Sequence, residues 1–119
     1  EHPVTEEVTG IDLVREQLKI ANGDPLSISQ DDIEIIGSSI EVRLYSEDPG
    51  NDFLPVTGKL IAFDPCEEPL VRWDVGVESG SEITPNFDPM LAKIISYGED
   101  RIEAANKLAR STRRPTRAR

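Results

Sequence analysis

The chain has 119 residues, enough for one modest core but too few for two substrate-binding domains and a hinge, so a complete ATP-driven ligase is excluded. Hydrophobic residues make up 37% and charged residues 30%, which excludes a disordered or fibrous chain, and the 5% aromatic content makes the expected core aliphatic. The formal charge of -10 is unevenly placed: all 23 carboxylates lie at or before Glu103, while five of the 13 cations crowd into residues 110–119. The eight other cations leave residues 1–109 at -15, a body that repels nucleic acid and anionic membranes, so neither is an expected partner. Cys66 is the single cysteine, which rules out an intrachain disulfide and makes the cytoplasm, or an organelle matrix, the default location. No apolar run approaches the roughly 20 residues of a membrane span.

In chain order, Thr9 and Asp12 form a Thr-x-x-Asp start ahead of Ile11, Val14, Leu18 and Ala21, whose three- and four-residue spacing predicts an amphipathic helix ending at Gly23-Asp24-Pro25. Glu6 and Glu7 precede it and favour its positive end. From Ile33 the period becomes two, with Ile40, Val42 and Leu44 alternating with Glu41, Arg43 and Tyr45, which predicts a strand. Turn chemistry at Glu47–Asp52 leads to further strands over Lys59–Phe63 and around Val71, Trp73, Val75 and Val77. A turn at residues 85–88 precedes a strand over Met90–Tyr97, and Asp100 with Glu103 opens a final helix through Ile102, Ala105 and Leu108. Residues 111–119 lack apolar periodicity and hold Pro115, so a disordered Arg-rich tail or frayed helix end is expected there. The order helix, antiparallel strands, helix predicts an α+β fold.

Few residues carry chemistry on their own. Arg43 has two readings, a surface ion pair with Glu41 or a guanidinium aimed into a cleft with Glu41 fixing its rotamer. His2 stands among carboxylates without the partners of a metal site, so no metal ligands are expected, and a local hydrogen-bonding role suits it. Lys93 alternates with apolar neighbours as a solvated strand residue, and Asp88-Pro89 shapes a turn.

Five strings stand together in one order: Glu1-His2-Pro3-Val4-Thr5-Glu6, then Thr9-Gly10-Ile11-Asp12-Leu13-Val14, then Ile40-Glu41-Val42-Arg43-Leu44 with Glu47-Asp48-Pro49. Phe53-Leu54-Pro55 with Gly58 follows, and last Asp88-Pro89-Met90-Leu91-Ala92-Lys93 with Tyr97-Gly98-Glu99-Asp100-Arg101. Over roughly residues 1–110 the chain resembles the biotin carboxylases of acyl-CoA carboxylase α-subunits and related ligases. The resemblance implies three regions: 1–24 as the end of the ATP-grasp core with a connecting helix, 25–110 as the C-terminal domain, and 111–119 as the tail. It also implies the reaction, in which a glutamate deprotonates bicarbonate for attack on the ATP γ-phosphate, and biotin captures the CO2 released from carboxyphosphate.

Within that resemblance Glu1 corresponds to the base and Arg43 to the catalytic, biotin-binding arginine that stabilises the biotin enolate. Arg72, in Val71-Arg72-Trp73, corresponds to a dimer-interface arginine, and the neighbouring position that is aromatic in bacterial members is Pro69 here. Implied partners are a biotin carboxyl carrier protein, a carboxyltransferase subunit and a second copy of the chain. ATP and Mg would belong to a portion ahead of Glu1, so these residues are expected to be a fragment that neither binds Mg-ATP nor turns over alone. The Arg-rich end departs from the continuing helix of the family, as a truncated or frame-shifted reading would. A non-catalytic interaction module derived from the same domain is the alternative class of function.

Overall fold

The structure, a computed structural model, describes residues 1–113. Helix α1 (His2–Thr9) comes first and is closed by Gly10 at φ 71, a left-handed cap that glycine adopts without strain. Helix α2 (Leu13–Ala21) follows, with Asp12 Oδ1 accepting from the Arg15 N–H at 2.9 Å. A helix therefore precedes the expected one, beginning at His2, ahead of the Thr9 start. Thr9 ends it rather than capping the second, its hydroxyl donating back to the Thr5 carbonyl at 2.6 Å. The expected apolar face of α2 is turned outward: Val14 and Leu18 are exposed, and the helix buries no residue.

Seven strands follow: β1 (Ser38–Tyr45), β2 (Glu47–Asp48), β3 (Leu54–Pro55), β4 (Gly58–Lys59), β5 (Val71–Val75), β6 (Glu82–Ile83) and β7 (Met90–Gly98), before helix α3 (Arg101–Arg113). β1, β7 and β5 form a three-stranded antiparallel sheet with β7 in the middle, while β2 pairs with β3 and β4 with β6. The strand expected over Lys59–Phe63 is thus cut to its first residue. Beyond it the backbone bonds a loop instead of a ladder, with Leu60 N–H on the Ser81 carbonyl and Phe63 N–H on the Ser79 hydroxyl. The predicted strand at Val71 stops at Val75, short of Val77.

The central position of β7 explains its sequence. Ala92, Ile94 and Ser96 face α3, whose Ala104 and Leu108 are buried with them, and Ile95 is buried on the other face. Ser96 Oγ donates to the Ala104 carbonyl at 2.9 Å, pinning the helix to the strand. Asp100 caps α3 by accepting from the Glu103 N–H at 2.8 Å, and Glu103 reaches back to the Glu99 N–H at 2.6 Å. The helix continues through Ser111, which is buried, to Arg113; the expected tail therefore starts three residues too early, and its remainder lies outside the described residues. No helix of the described residues is long and apolar enough to cross a membrane.

Candidate functional site

The site grows from the sheet face opposite α3. Residues directly across an antiparallel ladder share a face. The register Arg43–Lys93–Asp74 therefore lays one charged row across the three strands, and Glu41–Ile95–Arg72 lays the next. The period of two in β1 and β5 sends these charges to the side away from α3. α1 lies over that side, held at one end of it by Arg72.

Glu41 is the pivot of the first cluster. Its side chain is only 8% exposed, although it borders Arg43, which is 47% exposed, and Glu1, which is fully exposed. Glu41 Oε1 lies 3.5 Å from Arg43 Nε and 3.7 Å from the Glu1 nitrogen, while Oε2 is buried with no hydrogen-bond partner among the described residues. Tyr45 first, and Glu41 after it, hold the Arg43 proton more tightly than usual, so the guanidinium stays charged at any working pH. Glu1 lies near this cluster through its backbone nitrogen alone, and its carboxylate forms no hydrogen bond or ion pair with Glu41 or Arg43.

Arg72 is placed differently. Its Nε and Nη2 donate to both oxygens of Asp74 at 2.7 and 2.8 Å, and its Nη1 meets Glu6 at 2.8 Å and Glu7 at 3.4 Å. Asp74 first, then Glu6, raises the Arg72 pKa further, against a partial burial that acts to lower it. Glu6 serves both ends of this junction: it accepts from the Leu13 N–H at the start of α2 at 3.0 Å, as expected of a carboxylate ahead of that helix, and with Glu7 it also ties α1 to β5 through Arg72. Sequence reading missed the tie to β5 because it had no helix at residues 2–9, and the available signal was the Pro3 start with the Gly10 stop. An open groove of about 540 Å³ adjoins Arg72, lined by Glu6, Glu7, Ile11, Val14 and Leu18 among others. His2 sits in the first turn of α1, and Lys93 stands opposite Arg43.

Among the described residues no group of three or more His, Cys, Asp or Glu side chains is arranged to hold a metal ion, so no step is assigned to magnesium here. The chemistry this face offers is a half-exposed guanidinium beside a buried carboxylate, which suits an electrophilic clamp on an oxygen that gains negative charge.

An α1/sheet/α3 arrangement with these strings defines a class. The chain belongs to the biotin carboxylase C-terminal domain family, which matches residues 41–114, and residues 1–29 match the ATP binding domain of the carbamoyl-phosphate synthase L chain. It is 48% identical over 111 residues to the mitochondrial propionyl-CoA carboxylase alpha chain of Homo sapiens, covering 92% of this chain and 15% of that one. It is 49% identical over 113 residues to biotin carboxylase 2 of Bacillus subtilis, covering 95% and 25%. In three dimensions it is similar to the biotin carboxylase domain of Hydrogenobacter thermophilus 2-oxoglutarate carboxylase, a dimer in complex with MgADP, ADP and bicarbonate. The TM-score is 0.88 at 37% identity, over 93% of this chain and 24% of that one. The chain spans about a quarter or less of the length of each of these proteins.

Proposed function

We propose that this chain works as the C-terminal part of a biotin carboxylase, carrying the arginine that meets biotin and the glutamate that serves as base. The carrying observation is Arg43: its guanidinium is 47% exposed on the sheet face opposite α3, with the nearly buried Glu41 carboxylate 3.5 Å from its Nε. Arg43 cannot give up its proton in the working range, and its planar fork suits the ureido oxygen of biotin, where charge develops as the ring nitrogen loses its proton. Glu1, the residue just ahead of α1, is the carboxylate assigned to take the proton from bicarbonate.

In this reading residues 1–24 complete an ATP-grasp core, residues 25–110 form the C-terminal domain, and ATP and magnesium bind to residues other than these. The chain alone is inactive, because the base needs the nucleotide and bicarbonate held against it. The biotin comes on a carrier protein, and a carboxyltransferase consumes the product. A second copy docks beside Arg72, whose groove carries exposed Val14 and Leu18; the dimeric state of the Hydrogenobacter domain supports this.

The test is bicarbonate-dependent ATP cleavage stimulated by free biotin. It compares the chain alone, the chain joined to the preceding part of Bacillus subtilis biotin carboxylase 2, and the joined protein with Arg43→Ala. Turnover by the joined wild type alone, with biotin stimulation lost in Arg43→Ala, is the expected result. A folded joined protein without biotin-stimulated turnover overturns the reading.

A further inference from the structure

Two arginine–carboxylate pairs lie on the same sheet face with the same spacing, and they are built in opposite senses. On β5, Asp74 is 32% exposed and grips the Nε–Nη2 edge of Arg72 at two points, while Nη1 reaches Glu6 and ties the strand to α1. On β1, the carboxylate is the hidden partner: Glu41 is 8% exposed, Arg43 is 47% exposed, and the contact is a single 3.5 Å approach at Nε. Glu41 is the only carboxylate paired with Arg43 among the described residues. An exposed pair would contribute little to stability, and burying a carboxylate with one oxygen left unpaired is unfavourable. Glu41 Oε2 is such an oxygen. A costly arrangement that holds one edge of a half-exposed guanidinium marks a site whose geometry matters more than its contribution to folding.

We propose that Glu41 is a positioning residue, its buried carboxylate orienting the Arg43 guanidinium so that the Nη edge meets the biotin ureido oxygen. This rests on the biotin reading of Arg43 given above. Strand β1 supplies the stiffness: residues 41 and 43 project to the same side, and the ladder to β7 fixes both backbone positions. Glu41 approaches at Nε, Tyr45 is the other polar neighbour of the guanidinium, and its half-exposed remainder is left for a ligand; a rotamer fixed before binding avoids the entropy of ordering a long side chain in the reaction.

Two arms test this. In the full 119-residue chain, the Arg43 Nε–Hε signal is followed by 15N NMR in wild type and Glu41→Gln. A rigid wild-type signal that becomes as mobile as that of exposed Arg15, with the Arg72 signal unchanged as a control for folding, is expected. An Arg43 signal indifferent to Glu41→Gln overturns the proposal. In the joined enzyme, Glu41→Gln lowers biotin-stimulated turnover between about tenfold and a hundredfold while biotin-independent ATP cleavage is kept, and it lowers turnover no further in an Arg43→Ala background. An equal loss in both backgrounds means that Glu41 acts on something else and sinks the proposal. If the folded wild-type joined enzyme shows no biotin stimulation, the functional reading falls, and the NMR arm, which needs no turnover, decides the Glu41–Arg43 constraint by itself.

Discussion

Arg72 and Asp74, two residues apart on β5, are joined by parallel hydrogen bonds of 2.7 and 2.8 Å, and the same guanidinium reaches Glu6 on α1. Glu6 in turn accepts from the Leu13 N–H at 3.0 Å, so a single cation ties the edge strand to both N-terminal helices. Replacing it leaves three carboxylates facing one another across the α1–β5 junction. Arg72→Gln is expected to destabilise the chain by roughly 1–2 kcal/mol, less than a fully buried network would lose because about a third of the side chain meets solvent. Urea unfolding followed by circular dichroism reads the difference, and hydrogen exchange at residues 2–13 should rise more than exchange in β7.

The start of α2 gives a sharper test of local chemistry. Asp12 accepts from the Arg15 N–H, whereas Thr9, which also precedes the apolar run, spends its hydroxyl on the Thr5 carbonyl. Asp12→Ala should cost about 1 kcal/mol and fray the first turn, as loss of a capping side chain does. Thr9→Ala should cost only a few tenths of that. Equal losses, measured by urea unfolding and by amide protection of residues 15 and 16, would show that the cap is shared.

The contrast between those two residues shows what the sequence made legible. Strands β1 and β7 and helix α3 read directly, because alternation, turn residues and the Asp100–Glu103 cap all agreed on them. α1 did not, since eight residues with Pro3 as their only buried member leave no periodic stripe. Lys59–Phe63 looked like a strand because its residues have strand propensity, yet with Ile61 exposed and its backbone bound to residues 79–81, tertiary pairing decided otherwise. At the site, the two-residue spacing placed Glu41 beside Arg43 from sequence alone. That Glu41 is buried and Arg43 open depends on where α1 lies, and no spacing within β1 carries that information.

Acid should loosen the α2 end before the core. Glu16 accepts from Lys19 Nζ at 2.6 Å and from the Ser27 hydroxyl at 2.8 Å, and these bonds, Lys19 first, lower its pKa from 4.5 to about 2. Because the folded value lies below the unfolded one, the contribution is complete above pH 4.5 and is lost as pH falls from 4.5 towards 2. Glu103 shifts in the same direction, chiefly through Lys107. The Glu16 side-chain carbon should titrate with a midpoint near 2 in 13C NMR, and Lys19→Gln should move that midpoint up towards 4.5. An unchanged midpoint in the variant would assign the shift to Ser27 instead.

The last residue of β7 sets how close α3 can come. A Cβ on Gly98 would lie 2.5 Å from the Ala104 nitrogen, 2.9 Å from Glu103 Cβ and 3.0 Å from the Asp100 carbonyl oxygen. Two of those three atoms are backbone, so no side-chain rotation relieves the clash, and the helix has to back away from the strand. Backing away separates Ser96 Oγ from the Ala104 carbonyl and exposes Ala104 and Leu108, which are buried against the α3 side of β7. Gly98→Ala should therefore cost about 2–3 kcal/mol, as overpacking does, although the added group is one methyl and alanine is at ease in either neighbouring element. Gly76, where an added Cβ meets nothing nearer than the Leu91 carbonyl at 3.7 Å, is the matched control. Urea unfolding of both variants decides the point: a Gly98→Ala chain as stable as Gly76→Ala would mean that α3 docks with slack the structure does not show.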